Sequence, residues 1–379
     1  MMIYLDNSAT TKPYNDVVET FQKVTTQYFA NPSSIHTLGG DVEALLTKSK
    51  EQVASLLQVK PHEVVYTSGG TESNNLAIKG VAYYYQQRGR HIITTSIEHP
   101  SVLETCRYLE QEGFDVTYLP VDSRGKISLH DLHGALRDDT ILVSIMHVNN
   151  ETGSIQPIEA VANMLADYPK VVFHVDHVQG FGKISLPYNH NHLDLITISG
   201  HKIHGLKGSG CLIKKEHVGL TPLQHGGAQE RNVRPGTENV ANAVALSKAM
   251  RLAKQSEHRY HELESLRRTL ISELSEYKHV HINSPDDGAY HIVNLSVKHF
   301  KPEVLIHALS EEGIIVSTKS ACSSKENDVS HVLVACGLDD NQAGTAIRIS
   351  MSIDQTEQEI RSCLNAFHHV IEKYEKIMG

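Results

Sequence analysis

The sequence predicts an α/β protein, with a large domain built on a mostly parallel sheet and a smaller α+β domain. From residue 63 to residue 213, short apolar and β-branched runs alternate with stretches of helical periodicity. This alternation is typical of parallel strands that are joined by helices and covered by them on both faces. After a polar, Pro/Gly-containing turn at residues 283–288, shorter strands and helices alternate. We predict a large domain over residues 15–250 and a small domain made of residues 1–14 and 251–379.

The predicted elements of the large domain follow one another along the chain. Its strands are the apolar runs at residues 64–67, 91–95, 115–119, 141–146, 171–176 and 195–199. Helical patterns begin at about Ser73 and at Ser101, and another covers residues 158–166. Residues 239–277 predict one long connecting helix, and residues 291–295 a strand of the small domain. Because ligands of such sheets bind beyond the carboxyl ends of the strands, polar residues at those ends form the candidate site.

The composition excludes several classes of function. The formal net charge of −9 disfavours direct contact with nucleic acid, which needs a basic face. No apolar stretch is long enough for a membrane span, and the first residues lack the pattern of a signal peptide, so we expect a cytoplasmic protein. The five cysteines are far apart and form no CxxC pair, which argues against disulfides and a zinc site. They are Cys106, Cys211, Cys322, Cys336 and Cys363.

A lysine and an aspartate follow two neighbouring predicted strands. The run at residues 195–199 leads to Lys202, and the run at residues 171–176 ends in Asp176. An amine that bonds an aldehyde, and a carboxylate that keeps a pyridine nitrogen protonated, are what pyridoxal phosphate (PLP) requires. The alternative is a solvated surface lysine and an aspartate that caps a loop, which is the usual fate of such residues. The surrounding residues favour the PLP site.

A glycine-containing turn also predicts an anion site. Gly70 and Thr71 lie where the strand at residues 64–67 gives way to a helix, and helix N-termini offer unpaired N–H groups to phosphate. Ser199 and His201, beside Lys202, add donors of the same kind. The alternative is that the turn only caps the helix.

Three further polar residues follow strands. His99 lies at a strand-to-helix turn, where its flat ring could stack on a planar cofactor and exchange protons. The alternative for His99 is a simple cap of the helix start. Asn150 ends another strand and offers amide donors and acceptors, and Gln179 lies three residues beyond Asp176, within reach of the cofactor's phenolic oxygen.

These residues belong to a set of segments that resembles one family closely. The chain is similar to the cysteine desulfurases, the NifS/IscS-like members of the fold-type I, class V PLP-dependent enzymes, over nearly its whole length. The resemblance rests on residues 4–11, 31–36, 69–75, 98–99, 147–153, 174–176, 199–202, 234–239, 320–322 and 347–350. It implies that L-cysteine is the substrate and that sulfur leaves it to give L-alanine.

The resemblance also implies a role for each site residue. Lys202 would hold PLP and move the substrate's Cα proton, while His99 would stack on the ring and assist proton transfer. The other residues implied to hold the cofactor are Gly70, Thr71, Asn150, Asp176, Gln179, Ser199, His201 and, from a second subunit, Thr237. Arg348 would clamp the substrate carboxylate with a bidentate fork, helped by Asn150 and Asn31. A site shared between subunits implies a homodimer.

The distinctive step falls to Cys322, in a small and polar run that predicts a mobile loop at about residues 319–331. The resemblance implies that its thiolate takes the substrate's sulfur as a persulfide and passes it to an acceptor protein. That acceptor would serve tRNA thiolation or iron–sulfur cluster assembly, and the short end of the chain after its last helix favours tRNA thiolation.

Two alternatives stay open at this point. One is another class V PLP enzyme, such as a selenocysteine lyase or an aminotransferase, and the other is a catalytically silent scaffold. The chain also departs from the family pattern. His177 stands where alanine is usual and is expected beside the cofactor, Ser8 and Gly70 replace commoner alanines, and His204 replaces a commoner tyrosine.

Overall fold

The computed structural model describes residues 2–318 and 329–378. Its main sheet has seven strands. They are β2 (Val64–Thr67), β3 (His91–Thr95), β4 (Asp115–Leu119), β5 (Thr140–Met146), β6 (Val172–Asp176), β7 (Leu195–Ser199) and β8 (Gly210–Lys214). The order across the sheet is β2-β8-β7-β6-β5-β3-β4, and only β8 runs against its neighbours among these strands. The predicted fold class, an α/β protein with a mostly parallel sheet, is confirmed.

Helices cover both faces of this sheet. They are α1 (Asn15–Gln27), α2 (Thr37–Leu57), α3 (Gly70–Tyr85), α4 (Pro100–Gln111), α5 (Leu129–Ala135), α6 (Ile158–Leu165) and α7 (Val240–Ser256). Adjacent residues of one strand enter different cores, as Ile92 and Ile93 show in β3. Because side chains alternate across a strand, a sheet buried on both faces needs apolar residues at every position. This explains the unbroken apolar runs of the sequence.

The small domain combines residues from both ends of the chain. Its strands are β1 (Ile3–Tyr4), β9 (Val280–Ile282), β10 (Ile292–Val297), β11 (Ile314–Ile315) and β12 (Ala346–Ser350). Its helices are α8 (Leu263–Leu274), α9 (Pro302–Glu311), α10 (His331–Ala335), α11 (Asp340–Ala343) and α12 (Glu357–Met378). Strand β1 pairs in parallel with β11, and β12, β10 and β9 form an antiparallel sheet. Ile3 and Leu5 share one apolar core with residues of α8 and α12.

The connection between the two parts differs from the prediction. Instead of one helix over residues 239–277, α7 ends at Ser256, a 3₁₀ turn covers Glu257–Glu262, and α8 begins at Leu263. The turn buries Tyr260 and places its ring edge-on against His291 of the small domain. A straight helix would point this side chain in a different direction. The expectation of a single long helix is therefore wrong. The predicted boundary at residue 250 falls inside α7, and the domain limits stay a prediction.

Two helices begin slightly earlier than the sequence indicated, at Gly70 instead of Ser73 and at Pro100 instead of Ser101. Across the part of the chain that the structure describes, no helix is both long and apolar enough to cross a membrane.

Candidate active site

The carboxyl ends of the parallel strands surround a cavity of about 290 Å³. This volume is close to the lower end of the range found for small-molecule sites. Its wall is lined by Ser8, Ala9, Gly70, Thr71, Asn74, His99, Ser101, Met146, Val148, Asn150, Asp176, Val178, Gln179, Ser199, His201, Lys202 and Arg348. The structure thus brings together ten of the residues that the sequence singled out, from both domains.

Lys202 ends a 3₁₀ turn that directly follows β7. Its Nζ donates hydrogen bonds to the backbone oxygens of Ser8 (2.5 Å) and Ala9 (2.7 Å). These carbonyls belong to the N-terminal segment, which crosses the carboxyl edge of the sheet. Lys202 is therefore held at the cavity wall by backbone acceptors from the start of the chain.

Asp176 ends β6, the strand next to β7. The Nδ2 of Asn74 donates to its Oδ2 at 2.7 Å, and the backbone N–H of Val178 donates to its Oδ1 at 3.0 Å. These two donors hold the buried carboxyl group of Asp176 in a fixed position at the cavity wall.

His99 combines the two interpretations that the sequence left open. Its Nδ1 accepts a hydrogen bond from the backbone N–H of Ser101 at 3.1 Å and so caps α4. The same ring lines the cavity. Burial lowers the pKa of His99, so the uncharged imidazole is favoured.

The corner beside α3 has the features of an anion site. Gly70 and Thr71 form the first turn of α3, opposite Ser199 and His201. Gly69, which precedes this helix, has a φ of 150°, a conformation that side chains disfavour. Burial, reinforced by nearby lysines including Lys202, lowers the pKa of His201 to about 4. His201 therefore offers a neutral donor or acceptor at neutral pH.

Arg348 enters the cavity from β12 of the small domain. It is only 1% exposed, its Nη2 donates to Asp6 Oδ1 at 2.9 Å, and its Nη1 donates to the backbone oxygen of Asn150 at 2.8 Å. Its Nε is buried and has no hydrogen-bond partner among the described residues. The side chain of Asn150 is thus not what holds Arg348 in place.

Gln179 uses a different atom from the one that the prediction needs. Its Nε2 donates to Ser8 O at 2.9 Å, while Oε1 is buried without a partner in the described chain. A bond to a phenolic oxygen through the amide N–H would require this side chain to turn over.

Two predicted site residues do not line this cavity, and a third lies outside the described residues. Asn31 is exposed and its Oδ1 accepts from the backbone N–H of Ser33, and Thr237 is absent from the cavity wall of its own chain. Cys322 lies outside the described residues, as does most of the predicted loop that carries it.

The expectation that His177 lies beside the cofactor is wrong for its side chain. His177 follows Asp176 and therefore points to the other face of the sheet, where it is fully buried. Its Nδ1 lies 2.9 Å from His147 Nδ1, and its Nε2 lies 2.9 Å from the Tyr188 hydroxyl. It does not line the cavity.

Four polar residues of the site were not predicted from the sequence, although three of them lie in segments that carry the family resemblance. Asp6 and Ser8 are in residues 4–11, Asn74 is in residues 69–75, and Ser101 directly follows the turn at His99. What the sequence could not show is that Asn74 contacts Asp176 and that Asp6 contacts Arg348.

The chain is similar to known proteins over nearly its whole length. Residues 3–362 match the model of the family described as aminotransferase class-V. A "NifS/IcsS protein homolog" of Lactobacillus delbrueckii subsp. bulgaricus is 45% identical, with 99% of each chain covered. A "Cysteine desulfurase IscS" of Methanosarcina thermophila is 41% identical, covering 98% of this chain and 92% of the relative.

Solved structures agree with these relatives. One described as "NIFS-LIKE PROTEIN" has a TM-score of 0.92 at 38% identity, covering 98% of this chain and all of the other. Another, "SspA in complex with cysteine", has a TM-score of 0.82 at 35% identity, covering 93% and 99%. The family predicted from the sequence is confirmed: this chain belongs to the class V aminotransferase family, among its NifS/IscS-like cysteine desulfurases.

Proposed function

We propose that this enzyme is a PLP-dependent cysteine desulfurase, which converts L-cysteine to L-alanine and retains the sulfur as a persulfide on Cys322. The observation that carries the proposal is that Lys202 and Asp176, at the ends of neighbouring strands, face one cavity with the buried guanidinium of Arg348. An amine, a fixed carboxylate and a carboxylate clamp are the groups needed for amino-acid chemistry with PLP. The relatives named cysteine desulfurase support cysteine as the substrate.

The residues present fit PLP. The N-terminus of the 16-residue helix α3, with Ser199 and His201 opposite, suits the phosphate. Asp176 suits the pyridinium nitrogen, and its partner Asn74 keeps a buried oxygen without a partner in the described chain. When bound, PLP supplies an electron sink for the bonds at the substrate's Cα.

Lys202 and Arg348 act on different groups of the substrate. Lys202 is the amine placed to hold the cofactor and afterwards to move the Cα proton. Arg348 binds the substrate carboxylate, for which its unpartnered Nε offers a donor. Asp6 and the Asn150 carbonyl keep the guanidinium in place without occupying all of its N–H groups.

The chain on either side of Cys322 is fastened next to the cavity. Before it, Ser317 and Arg348 exchange both backbone hydrogen bonds. After it, the Ser330 hydroxyl donates to Glu151 Oε2 at 2.5 Å, and His331 Nε2 lies 3.1 Å from the backbone oxygen of Glu98. Cys322 follows Ser317 by five positions, a reach of at most about 18 Å. This length supports a meeting of the thiol with the substrate.

In the sulfur step the Cys322 thiolate attacks the substrate's sulfur atom. A sulfur–sulfur bond forms and the carbon–sulfur bond breaks, leaving its electron pair on the substrate carbon. Protonation of that carbon gives alanine, and the sulfur stays on Cys322 as a persulfide. An acceptor protein that serves tRNA thiolation or iron–sulfur cluster assembly then takes this sulfur.

A homodimer completes the proposal. Phe29 (75% exposed), Leu38 (55% exposed) and the fully exposed Ile35 present apolar surface at the start of α2 and before it. Three exposed apolar side chains within ten residues of sequence favour an interface at this segment. A second copy would cover these residues and would bring Thr237 to the phosphate of its neighbour. Four of the cysteines are free and buried, which fits a cytoplasmic enzyme.

Reconstitution of the purified protein with PLP tests this proposal. We expect a yellow protein that releases alanine from L-cysteine in the presence of a reductant, together with sulfide. Lys202→Ala should abolish the visible band of the bound cofactor. Cys322→Ala should retain that band and lose sulfide release, whereas the matched control Cys336→Ala should keep both.

Three outcomes would contradict the proposal. A protein that cannot take up PLP would be the silent scaffold. Full sulfide release by Cys322→Ala would remove the persulfide role. Turnover of selenocysteine, or transamination, without turnover of cysteine would assign another class V activity.

A further inference from the structure

A continuous chain of hydrogen bonds joins Asp176 to His99 through two buried side chains. Asn74 Nδ2 donates to Asp176 Oδ2 at 2.7 Å and to Ser101 Oγ at 2.8 Å. Ser101 Oγ lies 2.8 Å from His99 Nδ1. Asn74 and Ser101 are both buried, so the bond between them is shielded from bulk solvent. All four residues also line the cavity.

The donor and the acceptor of each hydrogen bond in this chain can be assigned by starting from the Asp176 carboxylate. An ionised carboxylate only accepts, so the amide nitrogen of Asn74 must face Asp176, and its second N–H then points to Ser101. The Ser101 hydroxyl accepts that N–H and has one proton left, which it donates to His99 Nδ1. The backbone N–H of Ser101 donates to the same Nδ1 at 3.1 Å. Nδ1 therefore receives two donors and cannot carry a proton.

We propose that Asn74 and Ser101 are positioning residues that fix the tautomer of His99. Together with Asp176, they hold it as a neutral imidazole whose only proton is on Nε2. Nε2 makes no hydrogen bond with residues 2–318 or 329–378, so it is left for a ligand. His99 then offers a ligand in the cavity a hydrogen-bond donor and not a base.

The consequence for the reaction rests on the proposed function. A histidine locked in this state cannot remove the Cα proton, because its one basic nitrogen is occupied by two donors. Proton removal then falls to Lys202 alone, while His99 stacks on the ring or donates to an anion. The tautomer itself rests only on residues of this chain.

The charges around His99 do not overrule this assignment. Asp176 and Glu151 favour the charged imidazole, while Lys202 and His331 oppose it, and burial is the largest influence. Burial lowers the pKa of His99, in the same direction as the two donors to Nδ1.

Nitrogen NMR of ¹⁵N-histidine-labelled protein tests the proposal without the cofactor. The signals of His99, identified among the 25 histidines by their loss in His99→Gln, should show the Nε2–H tautomer at neutral pH in the apoprotein. Ser101→Ala removes the hydroxyl donor. It should weaken the preference for the Nε2–H tautomer, which the backbone N–H of residue 101 still supports, and raise the pKa of His99 by roughly 0.5–1 unit, the equivalent of one hydrogen bond.

Two variants make the comparison specific. Ser101→Thr keeps a hydroxyl at the same place and should restore the native tautomer. Thr105→Val removes a buried hydroxyl one turn along α4, whose only hydrogen bond within the described residues is to the backbone oxygen of Ser101. This change should leave the His99 signals unchanged. An Nδ1–H tautomer in the native protein, or equal spectra for Ser101→Ala and Thr105→Val, would overturn the proposal.

The failure of this inference and the failure of the proposed function give different results. If the protein shows the expected tautomer but takes up no PLP, the hydrogen-bond network is supported and the proposed function is refuted. If the protein takes up PLP and releases sulfide but shows the Nδ1–H tautomer, the proposed function is supported and the role of the network is refuted. If Ser101→Ala does not fold, the native protein and Ser101→Thr still decide the question.

Discussion

Arg348 and Asp6 form a partly buried ion pair in the active site although 342 positions separate them, with Nη2 2.9 Å from Oδ1. Burial raises the pKa of Asp6, and Arg348 works against that rise by favouring the carboxylate. The pair thus places opposite charges on the N-terminal segment and on β12 of the small domain. A guanidinium so buried depends on its partner, because an unpaired charge in the interior is costly.

Asp6→Asn should therefore weaken both stability and substrate binding. We expect the free energy of unfolding to fall by about 2–4 kcal/mol and the KM for cysteine to rise roughly tenfold, since Arg348 loses its fixed position. Urea unfolding and steady-state kinetics measure the two effects. Asp16→Asn, which breaks an exposed pair with Lys248, should change the free energy of unfolding by less than about 0.5 kcal/mol. Equal effects of the two substitutions would show that Asp6 is not a special partner.

Gly210→Ala should disturb the anion corner without touching it directly. A Cβ at residue 210 would lie 2.6 Å from the Cα of Gly69 and 2.9 Å from the oxygen of Ile198, so the turn before α3 would have to shift. We expect a loss of about 2–3 kcal/mol in stability and weaker retention of PLP on dialysis. Gly134→Ala, in α5 and with open space around it, should instead stabilise the protein by about 0.5–1 kcal/mol. Undiminished PLP retention in Gly210→Ala would contradict the assignment of this corner.

Glu98 should make stability depend on pH. Complete burial raises its pKa to about 8 from 4.5, although Met146 N–H and the Thr95 hydroxyl donate to its Oε1. Between these two values the folded state holds a proton that the unfolded state has lost, so the contribution of Glu98 to stability is full below about pH 4.5. It declines as the pH rises towards 8, at about 1.4 kcal/mol per unit.

Glu98→Gln should remove this decline, since glutamine carries no ionisable group. Urea unfolding between pH 5 and pH 8 compares the slopes, with Glu104→Gln on the exposed surface as the control. A slope in Glu98→Gln equal to that of the parent would mean that Glu98 is already ionised in the folded protein.

His177→Ala should separate stability from cofactor chemistry. The substitution empties a fully buried position and leaves His147 and the Tyr188 hydroxyl without a partner, which should cost about 2–4 kcal/mol. The visible spectrum of bound PLP should not change, because the side chain does not line the cavity. His130→Ala, exposed on α5, is the matched control for stability. A shifted cofactor band in His177→Ala would show that the His177 imidazole influences the cofactor although it does not line the cavity.

The residues at strand ends could be predicted because a strand and the turn after it are local features. Lys202 and Asp176 each follow an apolar run, and parallel strands bring such ends to one edge. The contacts between Asn74 and Asp176 and between Asp6 and Arg348 could not be predicted in this way, because they join distant parts of the chain.

The two errors in the helices and strands have physical causes. The break at Glu257–Glu262 contains no glycine or proline, so helical periodicity continues through it and the burial of Tyr260 decides the turn. Strand β8 was not predicted from the sequence, because an antiparallel strand needs no crossover helix before it and therefore lacks that signal. His177 was misplaced because its neighbour Asp176 defined the site, whereas adjacent strand residues face opposite sides.

The pairing of β1 with β11, and the contacts of Asn7 and Ser8 with Ser350, have a consequence for biosynthesis. The backbone oxygens that receive the Lys202 amine belong to a segment whose contacts with β11 and Ser350 can form only after residue 350 has left the ribosome. A nascent chain that ends earlier has the sheet and its helices but lacks these contacts of its first segment. The order of translation therefore delays assembly of the catalytic centre until almost the whole polypeptide has been made.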